Sequence, residues 1–215
     1  MLTRPIIRPA TDGDVAGITE IYADVVLNTT ATYEIVPPSH DEMLRRLAAV
    51  TSAGYPYFVV VDPSPSPEMT HTVLGYAYVS PYRPRPAYRF TVEHSVYVSR
   101  DARDRGIGRL LMEAIISECE TMGFRQIIAV IGESGPDNLS IRFHEKFGFQ
   151  HSGKLKGSGY KFGRWLDTTF MQLSISGGAQ VPADPESIPE IQFQRQLKEQ
   201  SETSRRLDKA PKATP

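Results

Sequence analysis

Arg103-x-x-Gly106-x-Gly108 lies between a run that reads as a β-strand, Val96-Tyr97-Val98, and the start of an amphipathic helix at Arg109-Leu110-Leu111. Two glycines two apart let a backbone approach a ligand with no Cβ in the way. The helix that follows points its free N–H groups and its positive dipole end back at the turn. Together these make an anion site, suited to a pyrophosphate. The plain reading of the same residues is a charged β–α turn. A dinucleotide fingerprint fits worse, because it wants a third glycine where this chain has Leu111. The Gly-Lys-Ser/Thr of a P-loop is absent from the turn.

Other residues around this turn could also do chemistry. Glu93 lies on the strand that leads into it and could accept a proton; a solvated strand carboxylate is the plain alternative. His144 has the side chain best suited to proton exchange near neutrality, although a helix-face histidine is more often packed and hydrogen-bonded. Arg83 and Arg85, set among prolines, offer planar forks for a carboxylate or phosphinate, or else form a solvated basic loop.

The elements that must position these groups follow from hydrophobic spacing. Ile6-Ile7-Arg8 reads as a short strand, and Thr11 as an N-cap with Asp12 and Asp14 in the first turn. Ile18, Ile21, Tyr22, Val25 and Val26 recur at helical spacing, and Ser39 with Glu42 makes a capping box before a second helix. Residues 57–61, 73–79 and 90–98 read as strands, with an exposed proline loop at 62–70. The helix after the glycine turn is expected to bury Leu110, Leu111, Ala114, Ile115 and Met122, and to stop at Gly123. Residues 126–131 form a continuous apolar strand, the mark of a buried one. A helix carrying Ile141, His144, Glu145 and Phe147 closes at Gly148, and residues 166–175 make a last strand. The order β-α-α-β-β-β-α-β-α-β is an α/β pattern with a mixed sheet. Beyond residue 176, Gly177-Gly178 and prolines 182, 185 and 189 read as linker. The chain then divides into a domain over 1–175 and a polar tail over 176–215, flexible or partly helical.

Composition bounds the function. The 24 Lys and Arg against 25 Asp and Glu give a net charge of −1, so no global basic field points to nucleic acid. The single cysteine, Cys119, excludes an intramolecular disulfide framework and reads as a small packing residue in a helix. No apolar run approaches a membrane span or a signal peptide, so a cytoplasmic protein with no membrane partner is expected.

The glycine turn resembles the pyrophosphate-binding motif of the GCN5-related N-acetyltransferases, Arg/Gln-x-x-Gly-x-Gly/Ala after a strand. Three further blocks resemble the phosphinothricin N-acetyltransferase group within that family. They are residues 80–98 (SPYRPRPAYRFTVEHSVYV), 141–149 (IRFHEKFGF) and 159–167 (GYKFGRWLD). They occur in the right order, and the resemblance covers most of residues 4–175. It implies an α/β fold with a mixed, mostly antiparallel sheet, splayed open for the cofactor and flanked by helices. It implies acetyl-CoA as cosubstrate and no metal.

Carried over residue by residue, the resemblance makes Glu93 the general base for a substrate ammonium. It implies a bulge on the strand carrying Glu93, which would free a backbone N–H for the thioester carbonyl. Val96, Tyr97 and Val98 would pair with the pantetheine arm. Arg103, Asp104, Arg105, Gly106, Ile107, Gly108 and Arg109 would form the pyrophosphate cradle. Tyr33, Arg83, Arg85 and Tyr88 fall at the acceptor site, and His144 takes the place where many relatives use a tyrosine to protonate the departing thiolate. The family's asparagine beside the pantetheine should fall at position 137, but this chain has Asp137 there; Asn138 is expected to take its role. Lys161, Trp165 and Asp167 could define the far wall of the site or a subunit contact. The reading implied is an acetyltransferase for a small amino-acid-like amine of the phosphinothricin, methionine sulfone or methionine sulfoximine type, acting as a homodimer. The competing readings are an acetyltransferase for a peptide N-terminus or another amine, and a non-catalytic acyl-CoA sensor, against which Glu93 argues.

Overall fold

Alternation of side chains across each strand sets the two faces of one seven-stranded sheet, in the order β1-β2-β3-β4-β5-β7-β6. The computed structural model describes residues 4–63, 72–133, 135 and 138–209. Most of the expected proline loop and Asp137 lie outside these. The strands are β1 (Ile6–Pro9), β2 (Tyr57–Asp62), β3 (Thr72–Pro81), β4 (Thr91–Val98), β5 (Gln126–Gly132), β6 (Gln150–Lys161) and β7 (Arg164–Ser174). The helices are α1 (Val15–Asn28), α2 (His40–Ser52), α3 (Ile107–Met122), α4 (Leu139–Glu145) and α5 (Ile188–Lys209). Only β4 and β5 pair in parallel; every other neighbouring pair is antiparallel. The expected mixed, mostly antiparallel sheet is what forms.

One face buries Val60, Ala77, Val79, Val92, Ile127 and Ala129 against α3. The opposite face buries Val59, Val61 and Tyr76 against α1 and α2. At the start of α1, Asp14 is fully buried and accepts from the Thr11 backbone N–H at 2.8 Å and from both terminal nitrogens of Arg8 at 2.7 and 2.8 Å. Asp14, read from the sequence as a first-turn acid beside the Thr11 cap, therefore ties β1 to the helix entrance.

The α3 stripe differs from expectation. The buried residues are Ile107, Leu111, Met112, Ile115 and Cys119, whereas Leu110 is exposed. The apolar stripe is wide enough in sequence to allow either reading, and contact with the sheet selects the one that starts at Ile107. Burial pushes the Cys119 thiol up to about 12, which leaves it inert as a nucleophile. The strand β6 was not legible, because its glycines and lysines show no apolar alternation. It is an edge strand, and lysine on an exposed edge blocks pairing with other chains. The β6–β7 hairpin turns at Phe162 and Gly163, both left-handed (φ 52° and 74°), the geometry of a tight two-residue hairpin.

The expected bulge on β4 is absent. Its pairing with β3 runs unbroken from Val92↔Pro81 to Val98↔Gly75. The register shift on β3 falls instead between its partners Val60 and Val61 on β2. Val92, Val96 and Val98 accordingly all join the α3-side core, and Tyr97 joins the other.

The first turns of α5 dock on the body. Arg89 pairs with Glu190 at 2.7 Å, and its guanidinium lies 4.6 Å from the Phe90 ring centroid and 4.5 Å from that of Phe193. Ser187 is buried against Gly123, and Arg125 donates to the Pro182 carbonyl at 3.1 Å. Removing everything after Ile175 should therefore lower Tm by several degrees, on a scale of about 2–4 °C per kcal/mol for a chain of this size. Thermal unfolding followed by circular dichroism checks this. An unchanged Tm would mean that α5 contributes nothing to the fold.

Candidate active site

Pairing between β4 and β5 covers only Thr91↔Gln126 to His94↔Ala129. Beyond that point β5 continues beside β7, from Val130↔Phe170 to Gly132↔Thr168. The β5-facing edge of β4 from Ser95 to Val98 has no strand beside it. Its backbone groups are left for another partner, since buried N–H and C=O groups must be satisfied. This is the splay that the resemblance implied, and it arises where pairing stops rather than from a bulge.

Two adjoining cavities fill the wedge. The first, about 160 Å³, is lined by Thr30, Val96, Ile131, Asn138, Ser140 and His144, among others. The second, about 280 Å³, is lined by Tyr33, Tyr78, Glu93 and Thr168, among others. They share His94, Ser95, Tyr97 and Val130 as a common wall.

Glu93 is half-buried on the second cavity. Burial raises its carboxyl pKa above the ordinary value, and the positive charge of Arg83 opposes that shift. Tyr33 stands across from it, held by donating its hydroxyl to the Asp167 carbonyl at 2.7 Å and by accepting from Thr168 at 3.2 Å. Its ring lies so close over Gly159 that a Cβ there would come within 2.4 Å. Lys161 donates to the Thr32 carbonyl at 2.9 Å and so fixes the same loop to the β6–β7 hairpin.

His144 sits on the first cavity, 3% exposed, on α4. Its Nδ1 is 2.6 Å from the Ser140 carbonyl and its Nε2 is 3.0 Å from Nε2 of His94. Asn138 caps α4: its Oδ1 accepts from the Ser140 N–H at 3.1 Å and its Nδ2 donates to the Gly132 carbonyl at 2.9 Å. The side chain thus clamps the end of β5 to the start of α4.

At the far end of β4, a short 3-10 turn buries Ala102 and leads to the glycine turn. Asp104 and Gly106 are both left-handed (φ 60° and 79°), so any other L residue at position 106 would be strained. The ladder of α3 begins with Leu110 N–H to the Gly106 carbonyl at 3.1 Å. The N–H groups of Ile107, Gly108 and Arg109 consequently face the turn. A Cβ at Gly108 would lie 3.5 Å from Phe143 and 3.6 Å from Val98, so the space there is bounded but not closed. Arg105 approaches Asp62 at 3.9 Å and Arg109 pairs with Glu113 at 2.7 Å, while Arg103 points to solvent. An unpaired strand edge that leads to a free helix N-terminus suits an extended chain ending in a pyrophosphate, which is the chemistry of an acyl-CoA.

Not all the expected residues come together. Arg83, Arg85 and Tyr88 line a third cleft, about 180 Å³, between their own loop and α5, alongside Tyr55, Gln192 and Phe193. No residue of that cleft lines the Glu93 cavity; only the charge of Arg83 is felt there. Conversely, His94, Ser95, Tyr78 and Thr168 line the wedge without having been singled out. Parity could have found His94, since it shares the core-facing register of Val92 and Val96.

The chain was compared with known proteins. Residues 7–170 match the model of the acetyltransferase (GNAT) domain. The chain is 45% identical over 172 residues to a phosphinothricin N-acetyltransferase of Alcaligenes faecalis, covering 80% of this chain and 83% of that protein. It is 40% identical over 176 residues to an L-methionine sulfoximine/L-methionine sulfone acetyltransferase of Pseudomonas aeruginosa, covering 82% of this chain and 98% of that one. The crystal structure of a phosphinothricin acetyltransferase from Sinorhizobium meliloti, in complex with acetyl-CoA, superposes with a TM-score of 0.79. It is 44% identical, and the match covers 87% of this chain and 97% of that one. The wedge, the glycine turn and these matches agree: the chain belongs to the GCN5-related N-acetyltransferase family and is an N-acetyltransferase that uses acetyl-CoA.

Proposed function

We propose that this enzyme acetylates the amine of a small amino-acid-like acceptor of the phosphinothricin, methionine sulfone or methionine sulfoximine type, by direct transfer with Glu93 as general base. The observation that carries this reading is the half-buried Glu93 carboxylate facing a cavity that shares a wall with the strand-edge wedge. The acetyl group would sit where β4 and β5 part, its pantetheine arm along Val96, Tyr97 and Val98, its pyrophosphate on the turn from Arg103 to Arg109. The acceptor amine reaches the thioester carbon from the Glu93 side. Glu93 takes the ammonium proton, nitrogen bonds to the carbonyl carbon, the carbon–sulfur bond breaks to release the thiolate, and the nitrogen sheds its second proton to solvent to leave the neutral amide. A backbone N–H on the open edge of β4 supports the charge that develops on the carbonyl oxygen. His144 stands on the wall beside the breaking bond. Tyr33 lines the acceptor cavity with Glu93, and Arg83 acts there through its charge; Arg85 and Tyr88, expected as acceptor contacts, lie with Arg83 in the separate cleft against α5. Residues 1–175 carry the chemistry, and the first turns of α5 brace the arginine loop through Arg89 and Glu190.

The enzyme acts as a homodimer in this reading. Ile35, Val36, Leu155, Tyr160, Phe162 and Trp165 are large apolar side chains more than half exposed. Ile35, Tyr160 and Phe162 line one shallow groove with Leu27. An apolar patch of this kind marks an association surface. No helix among the described residues is long and apolar enough to cross a membrane, which accords with a cytoplasmic setting.

Glu93→Gln should preserve acetyl-CoA binding and lower kcat by about 10²–10⁴-fold. The raised pKa fixes the sign of the pH effect: wild-type activity falls as pH drops through it, because a protonated carboxyl cannot accept. The deficit of the variant should shrink as pH rises toward the amine's own pKa. A variant with wild-type rate at neutral pH removes Glu93 from the mechanism.

Arg83→Ala should move the acid limb of the kcat/KM profile to higher pH, because the positive charge of Arg83 opposes the rise in the Glu93 pKa. An acid limb that stays in place would show that Arg83 does not act on Glu93. Trp165→Glu should convert a dimer to a monomer in sedimentation velocity, and a monomeric wild-type protein would contradict the assembly.

A further inference from the structure

The two histidines at the mouth of the splay have only one consistent arrangement of hydrogens. The Ser140 carbonyl can only accept, so the hydrogen on the 2.6 Å contact belongs to Nδ1 of His144. A neutral His144 then has a bare lone pair on Nε2. That nitrogen faces Nε2 of His94 at 3.0 Å, so His94 is the donor. The remaining nitrogen of His94, its Nδ1, is buried and has no hydrogen-bond partner. The chain of donation runs from His94 to His144 to the Ser140 carbonyl.

The surroundings keep both rings neutral. His94 is 6% exposed and His144 is 3% exposed. Phe149 lies 5.3 Å from the His94 ring and 5.1 Å from the His144 ring, and Phe143 lies edge-on to His144 at 5.4 Å. Among the described residues, no carboxylate acts on the pair. Glu93 alternates to the opposite face of β4. On α4, Glu145 pairs with His151 at 3.4 Å, and Arg142 lines a different cleft. On α3, Arg109 and Glu113 pair with each other. β5 carries no titratable residue between Gln126 and Gly132. Burial lowers the pKa of both rings, that of His94 to about 3.

We propose that His94 is a positioning residue: its Nε2–H fills the last lone pair of His144 and so holds that ring neutral, as a fixed wall of the thioester cavity rather than a proton donor to the departing sulfur. Donation from His144 Nε2 would require that nitrogen to carry a hydrogen, and the place is taken by the hydrogen of His94. The proton that the thiolate collects then comes from another source, such as solvent. The kinetic side of this inference rests on the acetyl-transfer reading; the protonation state does not.

The test is imidazole nitrogen NMR on the full chain, together with pH profiles of kcat/KM, for wild type, His94→Gln and His94→Leu. The wild type should show His144 protonated on Nδ1 and bare on Nε2, with its titration displaced below the free value near 6.5. His94→Leu, which cannot donate, should let His144 titrate at a higher pH than in wild type. It should add an ionisation to the kcat/KM profile and lower kcat about tenfold, the scale of one lost hydrogen bond. KM for acetyl-CoA should move less than kcat. His94→Gln keeps a donor and should restore the wild-type profile.

A wild-type His144 that carries its hydrogen on Nε2, or titrates near its free value, overturns the proposal, and that spectrum needs neither variant to fold. A leucine variant with an unchanged His144 titration overturns it too. A glutamine variant that behaves like leucine would overturn the role of the donor hydrogen. A wild-type rate in Glu93→Gln with the wild-type histidine spectrum intact would overturn the base reading and leave this pair standing, whereas lost turnover with an altered wild-type His144 protonation would overturn the pair alone.

Discussion

Four residue pairs hold β4 to β5, and then the two strands part. The rest of the site depends on that interruption. A parallel pair that continued to Val98 would satisfy the strand edge internally and leave no room between the sheet halves. Because pairing stops at His94 and Ala129, the edge from Ser95 onward must find another hydrogen-bond partner, and an extended ligand can supply it. The side chains at the point of divergence are those that could act on that ligand: Glu93 and Ser95 on one face, His94 on the other. The same strand then delivers the chain to the N-terminus of α3, so that the open edge and the anion site lie end to end.

The wedge stays open because other elements fill its flanks. Thr29 to Ala31, after α1, and Asn138, Ser140 and His144, around α4, line the first cavity. Asn138 ties α4 to β5 with two side-chain bonds, and Tyr33 and Lys161 tie the α1 exit to the β6–β7 hairpin. These partly buried bonds to backbone carry more weight than the exposed ion pairs on the helices, such as Arg45–Glu42 and Arg109–Glu113. Exposed pairs of that kind are screened by solvent and contribute little. Breaking a clamp such as Asn138 would leave buried backbone groups without partners, the costlier loss.

Much of this was legible in the residues. The spacing of Gly106 and Gly108 after an apolar strand located the helix N-terminus, and the helix stop at Gly123 was marked by the residue type that tolerates its φ of 85°. The resemblance supplied the splay, which no pattern of hydrophobicity encodes. What was not legible has physical causes. β6 lacks alternation because it is an exposed edge, so periodicity had nothing to report. In α3 Leu111 and Ile115 are buried as expected, but Leu110, although apolar, is turned away from the sheet, and Ile107, Met112 and Cys119 complete the stripe. Docking of the tail rests on Arg89 between Phe90 and Phe193, contacts more than a hundred residues apart that no local window joins. His94 was passed over because a polar residue among valines was not read by its parity. The third cleft shows the opposite problem: Arg83, Arg85 and Tyr88 are adjacent in sequence to Glu93 but open toward α5.

The central claim is that the unpaired edge of β4 and the first turn of α3 together hold acetyl-CoA. Amide hydrogen exchange, resolved to single residues and compared with and without acetyl-CoA, tests it most directly. The account predicts new protection concentrated at Ser95 to Val98 and at Ile107 to Arg109, with the β3-paired amides of β4 little changed. Protection confined to the cleft between the arginine loop and α5, or none at the β4 edge, would contradict it.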